Sequence, residues 1–297
     1  MTERRRFPLH QLVPGRAARL LERLEGLLWT DRADVEVGVS PVNRPPTTLA
    51  DAPDQPYRPC PPGTYFARRE DEWDQCWFRV ALPGARGGEA GRRYLHWDGR
   101  GEVTAYLDGA PWAGLDVAHR SCVLPDGACT LYLDCGLYQT AIWCPGPEPD
   151  QHGFRFDGAW IAARDREASA AWHDWDALCQ LMDHLLAESG FEGSRKSHRY
   201  KTPITSVPPR LRRLLRDMDR ACDRYDTGGL RAFARGASEV LTRHRAETGQ
   251  PTASIVGHAH LDLVWLWPEA VAYRKAIHTF ASVLRLMDRY EEMTFVQ

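Results

Sequence analysis

Apolar residues recur along this chain with three different spacings, and each spacing predicts a different kind of structure. Over residues 8–29 they fall on one broad helical face, Leu20, Leu21, Leu24, Leu27 and Leu28, most clearly after Pro14-Gly15. From about residue 64 to 165 the repeat shortens to two. Strands are predicted at Trp77–Leu82, Tyr94–Trp97, Glu102–Leu107, Thr130–Leu133 and Thr140–Trp143. Gly, Pro and Asp turns separate them, and Asp108-Gly109 is a strong hairpin signal. Many short strands between turns predict a β-sandwich of jelly-roll type.

Beyond residue 168 the helical repeat returns. Trp172, Trp175, Leu178, Leu181, Met182, Leu185 and Leu186 mark one helix. Pro208-Pro209 opens a second, carrying Leu211, Leu214, Leu215 and Met218. Thr227 is a candidate cap for a third, with Leu230, Phe233, Ala234, Ala237 and Leu241 inward. Arg210, Arg212, Arg213 and Arg216 lie close to Asp217, Asp219, Asp223 and Asp226, which predicts a salt-bridged helix face. A short run from Ala253 to Gly257 reads as a buried strand. Pro268–Tyr290 reads as a helix, and Met293–Val296 as a last strand.

The predicted fold is therefore multidomain α+β. An N-terminal helix and proline-rich connector (1–63) lead to a β-sandwich (64–167). A helical linker (168–250) follows, then the first strand–helix–strand of an α/β barrel (251–297). Eight prolines between Pro41 and Pro62 exclude regular helix over most of that connector. A barrel cannot close on two strands, so the last domain is expected to be incomplete within this chain.

Composition narrows the partners. With 297 residues, 43% of them hydrophobic, the chain can bury sizeable cores. A net charge of -2 gives no electrostatic reason to expect nucleic acid or a membrane surface. Arg4-Arg5-Arg6 is a local exception and reads as a solvated terminus. No run approaches the roughly 18 apolar residues that cross a bilayer, and no apolar stretch follows the basic N-terminus as in an export signal. A cytoplasmic setting is expected. The eight cysteines contain no CxxC pair and read as reduced, mostly buried thiols. A disulfide among Cys122, Cys129, Cys135 and Cys144 stays open.

The densest chemistry lies in His258-Ala259-His260-Leu261-Asp262, followed by Val264-Trp265-Leu266-Trp267-Pro268. Residues two apart on a strand share a face, so His258, His260 and Asp262 are expected to project together. Imidazole and carboxylate suit Zn²⁺ or another divalent cation. A cluster of ligands where a strand exits into a helix is where an α/β barrel keeps its site. Trp265 and Trp267 read either as core or as a face on which a sugar ring stacks. Amidohydrolase barrels also carry His-x-His at a strand end. The two-metal motif of metallo-β-lactamase folds needs a further His where Leu263 stands.

Residues 255–297 resemble the opening of the catalytic domain of family 38 α-mannosidases, through His-x-His-x-Asp-x-x-Trp-Leu-Trp-Pro, Arg274-Lys275, Thr279-Phe280 and Leu284–Met287. Gly101–Gly109, Gly114–Asp116 and His119-Arg120 resemble the β-domain of the cytosolic-type branch. The resemblance implies a retaining, metal-dependent glycoside hydrolase that releases mannose from oligosaccharides. It makes His260 and Asp262 zinc ligands, Trp265 the platform under the mannose ring and His258 a supporting residue. It assigns no catalytic nucleophile or acid/base to this chain, which places both downstream of Gln297 and predicts a fragment inactive alone. Ala270-Val271 depart from the family's usual glutamate. Homo-oligomerisation of the full-length protein stays open. Two other readings compete: a non-catalytic carbohydrate-binding or interface module using Trp97, Tyr106 and Trp112, and an amidohydrolase-type metal hydrolase.

Overall fold

The computed structural model describes residues 9–84, 93–138, 152–190, 207–244, 254–265 and 267–297. Arg4-Arg5-Arg6, Cys144 and the strand predicted at Thr140–Trp143 lie outside them. The described chain is α+β, with two antiparallel sheets, a short parallel pair of strands and four α-helices. It divides into two compact units. One holds Met1–Thr30 and Arg164–Thr252; the other holds Asp31–Ala163 and Ala253–Gln297.

The first unit packs three helices, α1 (Leu9–Glu25), α2 (Arg166–Glu188) and α3 (Pro209–Arg243), around one apolar core. Val13, Ala17, Leu20 and Leu24 form the buried stripe of α1. The helix stops before Leu27 and Leu28; Gly26 closes its last turn, and Leu27 is exposed. Asp165 caps α2 by accepting the Ala168 N–H at 2.7 Å. Trp175 sits at the centre, its indole N–H donating to the Ala17 carbonyl at 3.0 Å and its ring edge-on to Phe233 at 5.0 Å.

Two expectations for this unit need correction. Thr227 does not cap a new helix: its hydroxyl donates to the Asp223 carbonyl one turn back. The chain kinks at Gly229, where φ is 69°, a conformation that favours glycine. The aspartates of α3 also find other partners than the expected arginines. Arg16 of α1 reaches Asp219, Asp223 and Asp226, while Arg243 and His244 hold Asp217. Those hydrogen bonds keep the Asp217 carboxyl below its usual range although burial opposes its charge.

In the second unit, β1 (Trp29–Asp34), β4 (Thr64–Ala67), β6 (Arg93–Gly99), β9 (Ser121–Val123) and β11 (Phe154–Arg164) form one sheet in the order β1-β11-β6-β9, with β4 also on β11. The other sheet runs β3-β2-β5-β10-β7-β8. Its strands are β2 (Val37–Val39), β3 (Arg58–Pro59), β5 (Gln75–Leu82), β7 (Glu102–Leu107), β8 (Ala110–Leu115) and β10 (Cys129–Gly136). An aromatic cluster joins their inner faces. Phe78 of β5 meets Phe66 and Trp97 at 4.9 Å and Phe156 at 6.2 Å. Trp97, a candidate sugar binder on sequence, is thus core, 1% exposed; Tyr106 and Trp112 are half-buried.

Asp108 and Gly109 both have positive φ, as the β7–β8 hairpin turn requires. The proline-rich stretch runs against β5, where Thr47 exchanges hydrogen bonds with Gln75 and accepts the Trp77 indole N–H. Cys76 and Cys135 face each other across β5 and β10 as free thiols; burial pushes Cys76 up to about 12. Cys122 and Cys129 are free as well.

The same unit contains β12 (Gly257–His258), α4 (Glu269–Arg289) and β13 (Phe295–Val296). β12 and β13 pair in parallel, Gly257 opposite Phe295. The strand expected from Ala253 is shorter and not buried: Ile255 is 91% exposed. Among the described residues β12 pairs with β13 alone.

Phe233→Ala is expected to lower the stability of the helical unit by about 3–5 kcal/mol, because it opens a cavity beside Trp175. Leu27→Ala should stay within about 0.5 kcal/mol of the parent. Urea denaturation followed by circular dichroism checks both.

Candidate functional site

Pro268 ends the extended approach to α4, and Glu269 begins its first turn. The helix then inverts the usual amphipathic arrangement. Tyr273, Ile277, Phe280, Leu284 and Met287 lie on its exposed side. Its polar side faces the second sheet. Arg274 grips Asp134 of β10 with both Nε and Nη2, and Asp134 also accepts from the Gln75 side chain at 2.9 Å. Lys275 Nζ meets Glu102 of β7 at 2.5 Å. His278 Nε2 lies 3.3 Å from Asp116, just past β8. Ser282 Oγ accepts the Gly114 N–H at 3.1 Å.

The close approach depends on Gly114. A Cβ there would collide with Ser282 and the His278 ring. Burial raises the cost of ionising Asp116, but hydrogen bonds from His119 and His278 and the backbone N–H of His119 hold its carboxyl far below the ordinary range. The hydrogen bond that His119 donates to Asp116 in turn raises His119, against burial.

The candidate ligands lie between β12 and α4. His260 Nε2 and Asp262 Oδ1 stand 3.2 Å apart on exposed side chains. His258 does not join them. Its Nδ1–H donates to the Val296 carbonyl at 3.0 Å, which ties its ring to β13. The expected three-residue face is therefore a pair plus a residue pinned to the sheet. The pair supplies one nitrogen and one oxygen, a donor set that suits Zn²⁺, and a catalytic zinc usually takes three protein ligands. Among the described residues no group of three His, Cys, Asp or Glu side chains could hold a metal ion.

Trp265 is 48% exposed, and its ring meets that of Trp267 edge-on at 5.8 Å. Trp267 lies beneath the Lys275 ammonium at 4.7 Å.

Residues 250–297 match the model of the glycosyl hydrolases family 38 N-terminal domain. Over 253 residues the chain is 26% identical to α-mannosidase 2C1 of Homo sapiens, covering 80% of this chain. Over these stretches the chain is similar to family 38 α-mannosidases. It spans 22% of the human protein's length. An α-mannosidase of Saccharomyces cerevisiae is 35% identical over 66 residues, 22% of this chain and 5% of that protein. A Ruminococcus gnavus β-glucuronidase structure aligns over 47% of this chain and 29% of its own, at 9% identity and a TM-score of 0.30, too low to bear on the fold. Among the described residues no helix is long and apolar enough to cross a membrane.

The structure brings His260 and Asp262 together near an exposed Trp265, and it adds the groups that seat α4. From sequence, Arg274 and Lys275 were legible only as part of the resemblance, and His278 not at all. The available signal was their place inside the matched segment, at positions on one side of a helix.

Two outcomes follow from this seating. Removing Arg274 leaves Asp134 buried and unpaired, so Arg274→Met should cost about 3–5 kcal/mol, much of it recovered by a second change, Asp134→Leu; denaturant titration reads both. The Asp116–His119 contact should stabilise most between the ordinary carboxylate value of 3.8 and the ordinary histidine value of 6.5. Asp116 is depressed, so its contribution falls as pH drops below 3.8 toward its folded value. His119 is raised, so its contribution is full below 6.5 and fades as pH climbs through its folded value. Thermal melts across pH should show both slopes flattened in Asp116→Asn.

Proposed function

We propose that this chain is the N-terminal portion of a retaining α-mannosidase that acts on mannose-containing oligosaccharides. The observation that carries the reading is the paired His260 and Asp262 beside the exposed Trp265, all within the segment that matches family 38. His260 and Asp262 would hold Zn²⁺ or another divalent cation as two of its ligands. Such a cation supplies positive charge to sugar hydroxyls. Trp265 offers an exposed indole face to the apolar C–H face of a mannose ring. His258, fixed to the Val296 carbonyl, holds the strand end from which the pair projects.

Retention needs a carboxylate nucleophile and a carboxylic acid roughly 5 Å apart across the scissile bond. We assign neither to a residue of this chain; Asp262 would be taken up at the metal. In this reading residues 251–297 open the catalytic α/β barrel, following a connector to residue 63, a jelly-roll-like sandwich (64–167) and a helical linker (168–250). The outward apolar side of α4 and the uncovered β12–β13 pair support it. Parallel strands elsewhere are covered on both faces, and an exposed apolar stripe marks a surface that packs against something. The free, mostly buried thiols among the described cysteines fit a cytoplasmic setting.

Calorimetric titration of the chain with Zn²⁺ tests the site. Weak binding is expected, and its loss in both His260→Ala and Asp262→Ala. Binding unchanged in either variant would overturn the assignment. Residues 1–297 alone should not turn over an aryl α-mannoside. Turnover would show that the chain holds its own nucleophile.

A further inference from the structure

We propose that Lys275 is a positioning residue that ties the orientation of Trp265 to the β-domain. This rests on the reading of Trp265 as the sugar platform. The Lys275 ammonium lies between two aromatic rings, 5.1 Å from the centroid of Tyr138 and 4.7 Å from that of Trp267. Glu102 Oε1 holds it at 2.5 Å. Its side chain is only 13% exposed, and that of Glu102 17%, so solvent screens the charge little. One cation thus bridges a ring of the β-domain and a ring of the ligand-bearing loop.

Each end of the bridge is fixed differently. Tyr138 follows β10 and is buried. Its ring stacks on Trp73 at 5.7 Å and lies over Gly136, where any Cβ would strike it. The Trp73 backbone is held at φ 79°, which a tryptophan adopts only when its surroundings require it. Arg274 stands over the same Tyr138 ring at 5.5 Å while it grips Asp134. Packing on both faces therefore holds the ring at the β-domain end.

The Trp267 end is not. Its Nε1 is buried without a hydrogen-bond partner, so no hydrogen bond fixes the ring's rotation. The cation over its face does so, and Trp265 then packs edge-on against it at 86°. Glu102 aims Lys275, Lys275 orients Trp267, and Trp267 sets the exposed indole of Trp265.

Residue choice fits this role. Lysine stands at only three positions in the chain, Lys196, Lys201 and Lys275, among 38 basic residues. A compact ammonium fits between two rings and still reaches a carboxylate; a planar guanidinium needs a wider fork.

The test is ¹⁹F NMR of the whole chain labelled with 5-fluorotryptophan, with Trp265→Phe and Trp267→Phe assigning the two resonances. In Lys275→Met both resonances should shift or broaden, while those of the core tryptophans Trp97 and Trp175 stay in place. Glu102→Gln should move the same two resonances in the same direction, and Lys275→Arg should restore them in part. A purely structural anchor would lower the thermal midpoint and leave the Trp265 resonance where it was. An unmoved Trp265 resonance in folded Lys275→Met overturns the proposal. If that variant does not fold, an unmoved resonance in Glu102→Gln does. Neither sugar nor metal enters the measurement, so failure here is distinct from a failure to bind mannose or zinc.

Discussion

The buried charge pairs between α4 and the second sheet are the constraint on which the candidate site depends. Asp134, Glu102 and Asp116 stand on or beside β10, β7 and β8, largely out of water. A buried carboxylate without a partner is costly, so each needs a donor in a defined place. The Arg274 and Lys275 cations and the His278 ring meet them from positions i, i+1 and i+4 of one helix, which fixes its rotation above the sheet. A hydrophobic contact would tolerate sliding; a two-pronged guanidinium on a carboxylate does not. With α4 set in this way, the segment from His258 to Pro268 is held between a fixed helix and the β12–β13 pair.

The chain thus separates stability from positioning. The sheets are joined by rings, Phe78 against Phe66, Trp97 and Phe156, a cohesion with little directional demand. The helix is joined by hydrogen-bonded charges, which are directional and contribute less net stability. Pre-organised polar contacts of this kind suit an element that must present a side chain in one orientation.

Much of the architecture was legible in the sequence. The two-residue repeat found the strands at Trp77–Leu82 and Glu102–Leu107. The helical repeat found α2 and the first part of α3, because in each the apolar face is also the buried face. Legibility failed wherever that equation failed. Leu27 extends the apolar stripe of α1 but lies past its end, since local closure at Gly26 outweighs pattern. Thr227 has capping chemistry, but its hydroxyl found a carbonyl within the helix, and the break fell at Gly229. The strands Val37–Val39 and Ser121–Val123 are too short to show a period. At the candidate site the alternating spacing predicted that His260 and Asp262 project together, as they do. The turning aside of His258 was not, because it follows from the late pairing of β12 with β13, far apart in sequence.

The division between apolar cohesion and charge pairing gives the second unit two contributions that respond differently to temperature. Apolar burial weakens on cooling, because its driving force near room temperature is largely the entropy of water. The cost of stripping water from charged groups falls on warming, so ion pairs grow relatively stronger. At high temperature the apolar term levels off while the charge pairs go on gaining, so warming shifts the balance toward the seat of α4. The geometry around Trp265 belongs to the part of the molecule that warmth favours.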